Sequence, residues 1–128
     1  MKYVVIGSSA AGINGIRELR KLDKTAEIVL ISKDEEIYSR CILHHYLGGE
    51  RTVSELNFAE QDFAKLYKVE WLRGVACTEV NTVEKKVVLE DGRAVSYDKL
   101  LIATGSHTFI PPVKNLKEGK NVIGFRNV

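Results

Sequence analysis

The sequence predicts an α/β fold in which a parallel sheet grows from an N-terminal βαβ unit and carries a small antiparallel β insertion. Three observations lead there. The apolar, β-branched run Lys2-Tyr3-Val4-Val5-Ile6 stops abruptly at Gly7, a helical pattern follows, and a second apolar run, Glu27-Ile28-Val29-Leu30-Ile31, completes the unit within 31 residues. Strand, helix of about three turns and strand in that order form a right-handed crossover between parallel strands. Neither run alternates apolar with polar residues, as expected of strands covered on both faces.

The remaining elements follow in chain order. Ile13, Ile16, Leu19 and Leu22 recur at about one helical turn, with Arg17, Glu18, Arg20 and Lys21 on the wet face. Residues 35–49 predict a loop and one short helix, whose apolar positions are Ile42, Leu43, Tyr46 and Leu47 and which Gly48-Gly49 closes. Residues 54–67 predict another helix, with Phe58, Phe63, Leu66 and Tyr67 on its apolar side. From Val69 the period drops towards two. Residues 69–72, 75–82 and 86–90 read as strands and Asp91-Gly92 as a tight hairpin before Ala94-Val95, so the antiparallel insertion is expected over about 69–96. Lys99-Leu100-Leu101-Ile102-Ala103, ending in Thr104-Gly105, predicts another buried parallel strand. Beyond Pro111-Pro112, residues 122–125 begin a further apolar element.

Composition narrows the function. The 128 residues make one domain, and 45% apolar with 28% charged residues is a soluble globular balance. Nineteen Lys+Arg against seventeen Asp+Glu leave a net charge of +2, too small and too dispersed for a nucleic-acid footprint. No apolar run approaches the about 20 residues of a membrane span or the about 7–15 of a signal peptide. Cys41 and Cys77 form no CxxC pair, which leaves no disulfide framework or zinc site and makes a reducing cytoplasm the expected compartment. His44 and His45 are adjacent, hence about 100° apart on a helix, and His107 is remote, so no metal site is expected.

One motif carries chemistry. Gly7-Ser8-Ser9-Ala10-Ala11-Gly12 follows a strand directly and opens a helix, the setting of a Rossmann-like dinucleotide site. Gly7 permits the turn, Gly12 lets the helix approach the sheet, and the helix N-terminus offers N–H groups and positive dipole to a pyrophosphate. Ser9 stands at the middle glycine position. The acidic residue expected about 20 positions further on is replaced by Ser32, with Asp34 close behind, so a ribose contact could come from Ser32, from Asp34 or from neither. The residues alone also admit a non-catalytic nucleotide-binding module, or a glycine turn that binds no nucleotide. No nucleophile–base pair and no Walker loop are present, so a cofactor must carry any chemistry.

Three stretches taken together resemble the FAD-binding N-terminal part of the pyridine nucleotide–disulfide oxidoreductase superfamily. They are the 4–12 segment around the glycine loop, Tyr38-Ser39-Arg40-Cys41-Ile42-Leu43-His44-His45-Tyr46-Leu47-Gly48-Gly49, and Tyr97-Asp98-Lys99-Leu100-Leu101-Ile102-Ala103-Thr104-Gly105-Ser106. The Tyr-Ser-Arg segment is most similar to the branch holding NADH:rubredoxin reductases and the large subunit of NADH-dependent nitrite reductase. The resemblance implies FAD as cofactor, NAD(P)H bound through a further domain after residue 128, and electron transfer to a protein or metal-centre acceptor. It implies that residues 1–128 are an incomplete FAD-binding domain, inactive alone and binding FAD weakly or not at all. Carried over residue by residue, Gly7, Ser8, Ser9, Ala10, Ala11 and Gly12 would meet the pyrophosphate, with Ser32, Lys33 and Asp34 beside the adenosine. Arg40 would reach the pyrophosphate or flavin edge, Cys77 would offer backbone to the adenine, and Ala103, Thr104 and Gly105 would line the cleft.

Cys41 supports a second implication. Its surroundings also resemble the single redox cysteine of NADH oxidases and coenzyme A–disulfide reductases, which would make it catalytic. A thiol at the start of a short helix beside Arg40 is physically suited to thiolate formation. The paired-cysteine mechanism is excluded, since no second cysteine lies near Cys41 in the sequence.

Overall fold

A computed structural model describes residues 1–128. Strands β1 (Lys2–Ile6), β2 (Glu27–Ser32), β3 (Val69–Arg73) and β7 (Lys99–Ile102) form a four-stranded sheet in the order β3-β2-β1-β7, with every pairing parallel. Strands β4 (Cys77–Asn81), β5 (Lys86–Leu89) and β6 (Ala94–Ser96) make a separate antiparallel sheet. Helix α1 (Ala10–Leu22) joins β1 to β2, and two shorter helices, α2 (Leu43–Leu47) and α3 (Phe63–Leu66), lie in the connection to β3. No helix is long and apolar enough to cross a membrane.

The alternation of side chains along each strand divides the core in two. Val5, Ile28 and Leu30 point to one face, where they meet Ile13 and Ile16 of α1 and Phe63 of α3. Val4, Ile6, Val29 and Ile31 point to the other and meet Val75, Val87 and Leu89. Three layers result: helix, parallel sheet, antiparallel sheet. This explains the uninterrupted apolar runs, because both faces of β1 and β2 are covered. A satellite cluster of Tyr38, Leu43 and Leu56 anchors the connection after β2.

Arg20 ties the helical layer together without any carboxylate. Its guanidinium donates to five backbone carbonyls, those of Tyr67 at 2.8 Å, Asp23 at 3.2 Å, Lys24 at 3.2 Å, Ala26 at 2.8 Å and Lys68 at 3.0 Å. It thereby joins the end of α1 and the α1–β2 turn to the α3–β3 turn.

Four expectations need correction. Residues 69–73 belong to the parallel sheet as β3, paired with β2, so the antiparallel insertion begins at Cys77. The periodicity of a short strand does not reveal which sheet it joins. The 54–67 helix is broken into a 3-10 turn (Ser54–Leu56) and α3. Between them Asn57 is extended, its Oδ1 accepting the Ala59 N–H at 2.7 Å, and Asp62 adopts a left-handed φ of 55°. Leu56 and Phe63 thus reach separate clusters, which one straight helix would not allow. Strand β7 is parallel as expected but is an edge strand, with Leu101 36% and Ile102 60% exposed. Residues 122–125 form no strand or helix, and Ile123 is 72% exposed.

Candidate functional site

The sheet positions the site. The chain runs from β1 outward through β2 to β3 on one side, and places β7 on the other, so a crevice opens beyond the C-terminal ends of these strands. Ligands of open parallel sheets bind at such a reversal. A cleft of about 340 Å³ lies there, floored by Ile6, Ile31 and Ala103 and walled by Gly7, Ser8, Ser9, Ser32, Lys33 and Asp34. Arg40, Val75, Ala76, Cys77, Thr104, Gly105, Ser106, His107, Arg126 and Asn127 complete it.

The glycine loop is fixed by close backbone contacts. Gly7 has φ +110°, and a Cβ there would stand 2.3 Å from the Ala103 carbonyl oxygen. A Cβ on Gly12 would stand 1.8 Å from the Gly7 carbonyl oxygen. These two positions therefore bring α1 against β1 and β1 against the 103–105 segment. Ser9, at the middle position, has φ −94° and ψ −167°, an extended backbone open to any residue, which is why serine is tolerated. Its side chain does not cap α1, so the opening N–H groups of the helix have no side-chain partner there.

The residues fit a dinucleotide pyrophosphate. Ser8 Oγ is buried beside the cleft with no hydrogen-bond partner, an orphan whose cost a ligand oxygen would relieve. Arg40 Nε is likewise buried and unpartnered. Arg40 Nη2 donates to Asp34 Oδ2 at 2.7 Å and to Asn127 Oδ1 at 3.2 Å, while Tyr38 donates to Asp34 Oδ1 at 3.2 Å. Burial pushes the Tyr38 phenol up, against the opposing pull of Arg40, so it remains a donor near neutrality. Ser8, Arg40 and the start of α1 could hold two phosphates, and the flavin chemistry would belong to FAD once bound.

Most expected residues meet at this cleft. Ala10 and Ala11 do not line it but begin α1 with exposed side chains, and Gly12 acts through its contact with Gly7. Ser32 is buried, its hydroxyl donating to the Asp34 carbonyl at 2.6 Å and accepting from Trp71 Nε1 at 2.8 Å. Cys77 lines the cleft half-buried, and burial pushes its thiol up. Cys41 lies in the 3-10 turn (Arg40–Ile42), exposed and outside the cleft lining, while the Arg40 guanidinium is engaged by Asp34 and Asn127. Sequence reasoning missed Val75 and Ala76 ahead of β4, Ser106 and His107 after the glycine at the end of β7, and Arg126 and Asn127, which return to the cleft from an irregular segment with no periodic signal. Ile6 and Ile31 could have been named, since the last residues of parallel strands border the crevice.

A family model described as pyridine nucleotide-disulphide oxidoreductase matches residues 1–127. The assimilatory nitrate reductase electron transfer subunit of Bacillus subtilis is 31% identical over 99% of this chain, which covers 17% of that protein. Rubredoxin-NAD(+) reductase of Alcanivorax borkumensis is 32% identical over 87% of this chain, which covers 29% of it. Among solved structures, the NAD-dependent persulfide reductase from A. fulgidus superposes with a TM-score of 0.80 at 30% identity, over 91% of this chain and 23% of that one. The chain thus spans less than a third of each of these relatives. The family model covers the glycine loop, the Tyr-Ser-Arg segment and the Ala-Thr-Gly strand end that build the cleft. This chain therefore belongs to the pyridine nucleotide-disulphide oxidoreductase family, whose members use FAD and NAD(P)H.

Proposed function

We propose that this chain is the FAD-binding portion of an NAD(P)H-dependent flavoprotein oxidoreductase that passes electrons to a protein or metal-centre acceptor of the rubredoxin or nitrite reductase type. The observation that carries the reading is the orphaned Ser8 hydroxyl beside the opening of α1, in a cleft whose walls are set by the Gly7 and Gly12 contacts. Ser8, Arg40 and the start of α1 would hold FAD, which would supply the redox chemistry between NAD(P)H and the acceptor. The chain's own residues bind and orient: Ser8 and the helix N-terminus at the pyrophosphate, Arg40 through its unpartnered Nε, the 103–105 segment as wall. The exposed position of Cys41 outside this lining favours electron transfer over a thiol intermediate.

The test is a titration of the 128-residue chain with FAD and with ADP, followed through its backbone amide NMR signals. Shifts concentrated at 6–9, 31–34 and 103–106 are expected, with NADH left unoxidised by this chain alone. Gly12→Ala forces the Gly7 carbonyl to move and should abolish the shifts at 6–9. Adenine-nucleotide shifts located away from the cleft, or shifts at 6–9 that survive Gly12→Ala, would sink the reading.

A further inference from the structure

Ser32 ends β2, where a nucleotide-binding α/β sheet recognises the adenosine ribose with a carboxylate. It is not placed to do so itself. Side chains alternate along a strand, so Ser32 shares the helical face with Leu30, and the residue is only 3% exposed. There its hydroxyl accepts from the Trp71 indole N–H at 2.8 Å and donates to the Asp34 main-chain carbonyl at 2.6 Å. An indole is a donor only, and a hydroxyl has a single proton, so Trp71 dictates that this proton points at Asp34. Trp71 is itself held firmly. It pairs with Leu30 in the β2–β3 register, packs on the helical-face core, and has the Arg73 guanidinium carbon 4.1 Å from its ring centroid.

The chain of hydrogen bonds ends at a carboxylate with capacity to spare. Asp34 lines the cleft with its side chain 26% exposed, one oxygen accepting from Arg40 at 2.7 Å and the other from Tyr38 at 3.2 Å. A carboxylate offers about four lone-pair sites over its two oxygens, so each oxygen keeps room for a ribose hydroxyl. We propose that Trp71, which does not line the cleft, is a positioning residue for ribose recognition: through Ser32 it fixes the Asp34 main chain, and so aims the Asp34 carboxylate at an unphosphorylated ribose diol. The inference rests on the dinucleotide-site reading and adds how its ribose end is set. Trp71 and Ser32 hold the main chain of Asp34 while Arg40 and Tyr38 hold its side chain, and an acceptor fixed at both ends loses little freedom when the ligand arrives.

The matched probes are ADP and 2′,3′-dideoxy-ADP, which lacks only the diol hydroxyls. Each is titrated into the 128-residue chain and followed through its amide NMR signals. The unaltered chain should bind ADP more tightly than the dideoxy probe by about three- to fivefold. Trp71→Phe keeps a ring on the core but no N–H, and should at least halve that preference by weakening ADP alone. Ser32→Ala leaves the indole packing in place and should do the same; should Trp71→Phe not fold, it decides by itself. A preference that survives in either folded variant overturns the proposal, as does an equal loss for both nucleotides, the mark of a merely structural role. Equal binding of the two probes by the unaltered chain also overturns it, while leaving the nucleotide site in place. Failure of both to bind overturns the dinucleotide-site reading itself and the proposal with it, an outcome distinct from loss of preference.

Discussion

Arg20→Met tests how much the guanidinium contacts to backbone carbonyls contribute by joining the end of α1 to the α3–β3 turn. The substitution keeps an aliphatic stem and deletes five N–H···O contacts. Two of them, to Tyr67 and Ala26, are both short, at 2.8 Å, and part-buried. A hydrogen bond from a charged donor contributes about 1.5–3 kcal/mol when buried, and about half that at such partly wet sites. The other three are long or exposed and add about 0.3 kcal/mol each, giving a loss of about 2–4 kcal/mol. For a chain of this size that lowers Tm by about 6–15 °C. Urea unfolding followed by far-ultraviolet circular dichroism reads it directly. Arg20→Lys should recover less than half, because one ammonium cannot span turns on opposite sides of the guanidinium. A Met variant within about 0.5 kcal/mol of the parent would refute the reasoning, showing that water replaces all five partners at no cost.

The remaining predictions concern titration and thiol access. The Arg17 guanidinium, 2.7 Å from Glu60, holds that carboxyl at about 2 against an ordinary 4.5. A depressed folded pKa stabilises fully above the ordinary value, so this contribution should fade as pH falls from about 4.5 to about 2. Glu60→Gln should flatten the acid limb of urea midpoints across that window, and an unchanged slope would remove Glu60 from the account. Alkylation mapped by mass spectrometry should find exposed Cys41 reacting at least about tenfold faster than Cys77, whose burial keeps it protonated. Adenine nucleotide should slow Cys77 further and spare Cys41. Protection of Cys41 instead would return it to the cleft chemistry.

Elements whose cause is local were legible in the sequence, and those whose cause is a distant partner were not. Val4 to Ile6 and Ile28 to Ile31 announce strands covered on both faces, and the structure covers both. The glycine loop announced its turn because Gly7 and Gly12 are demanded by contacts that any side chain would violate. By contrast, nothing in residues 69–73 distinguishes an edge of the parallel sheet from the start of a hairpin, since that choice is made by pairing with β2. The apolar run of β7 predicts burial on both faces, yet Ile102 is 60% exposed on the edge strand. At the site, loop and strand-end residues were readable from spacing. Arg126 and Asn127 arrive through irregular backbone, and the saturation of Ser32 by Trp71 depends on a strand pairing that spacing does not encode.

The contact of Gly7 with the Ala103 carbonyl, together with the bond from the Lys2 N–H to Asp98 Oδ2 across a sequence separation of 96 residues, has a consequence in time. During synthesis at about 5–20 residues per second, the glycine loop leaves the ribosome roughly 5–20 seconds before the strand that walls its cleft exists. The nascent chain therefore carries a turn and a helix start with one side open until β7 emerges. On the proposed reading, cofactor capture would wait until β7 has been made and inserted beside β1, so retention of the ligand would report that the first and last strands of this sheet have found each other.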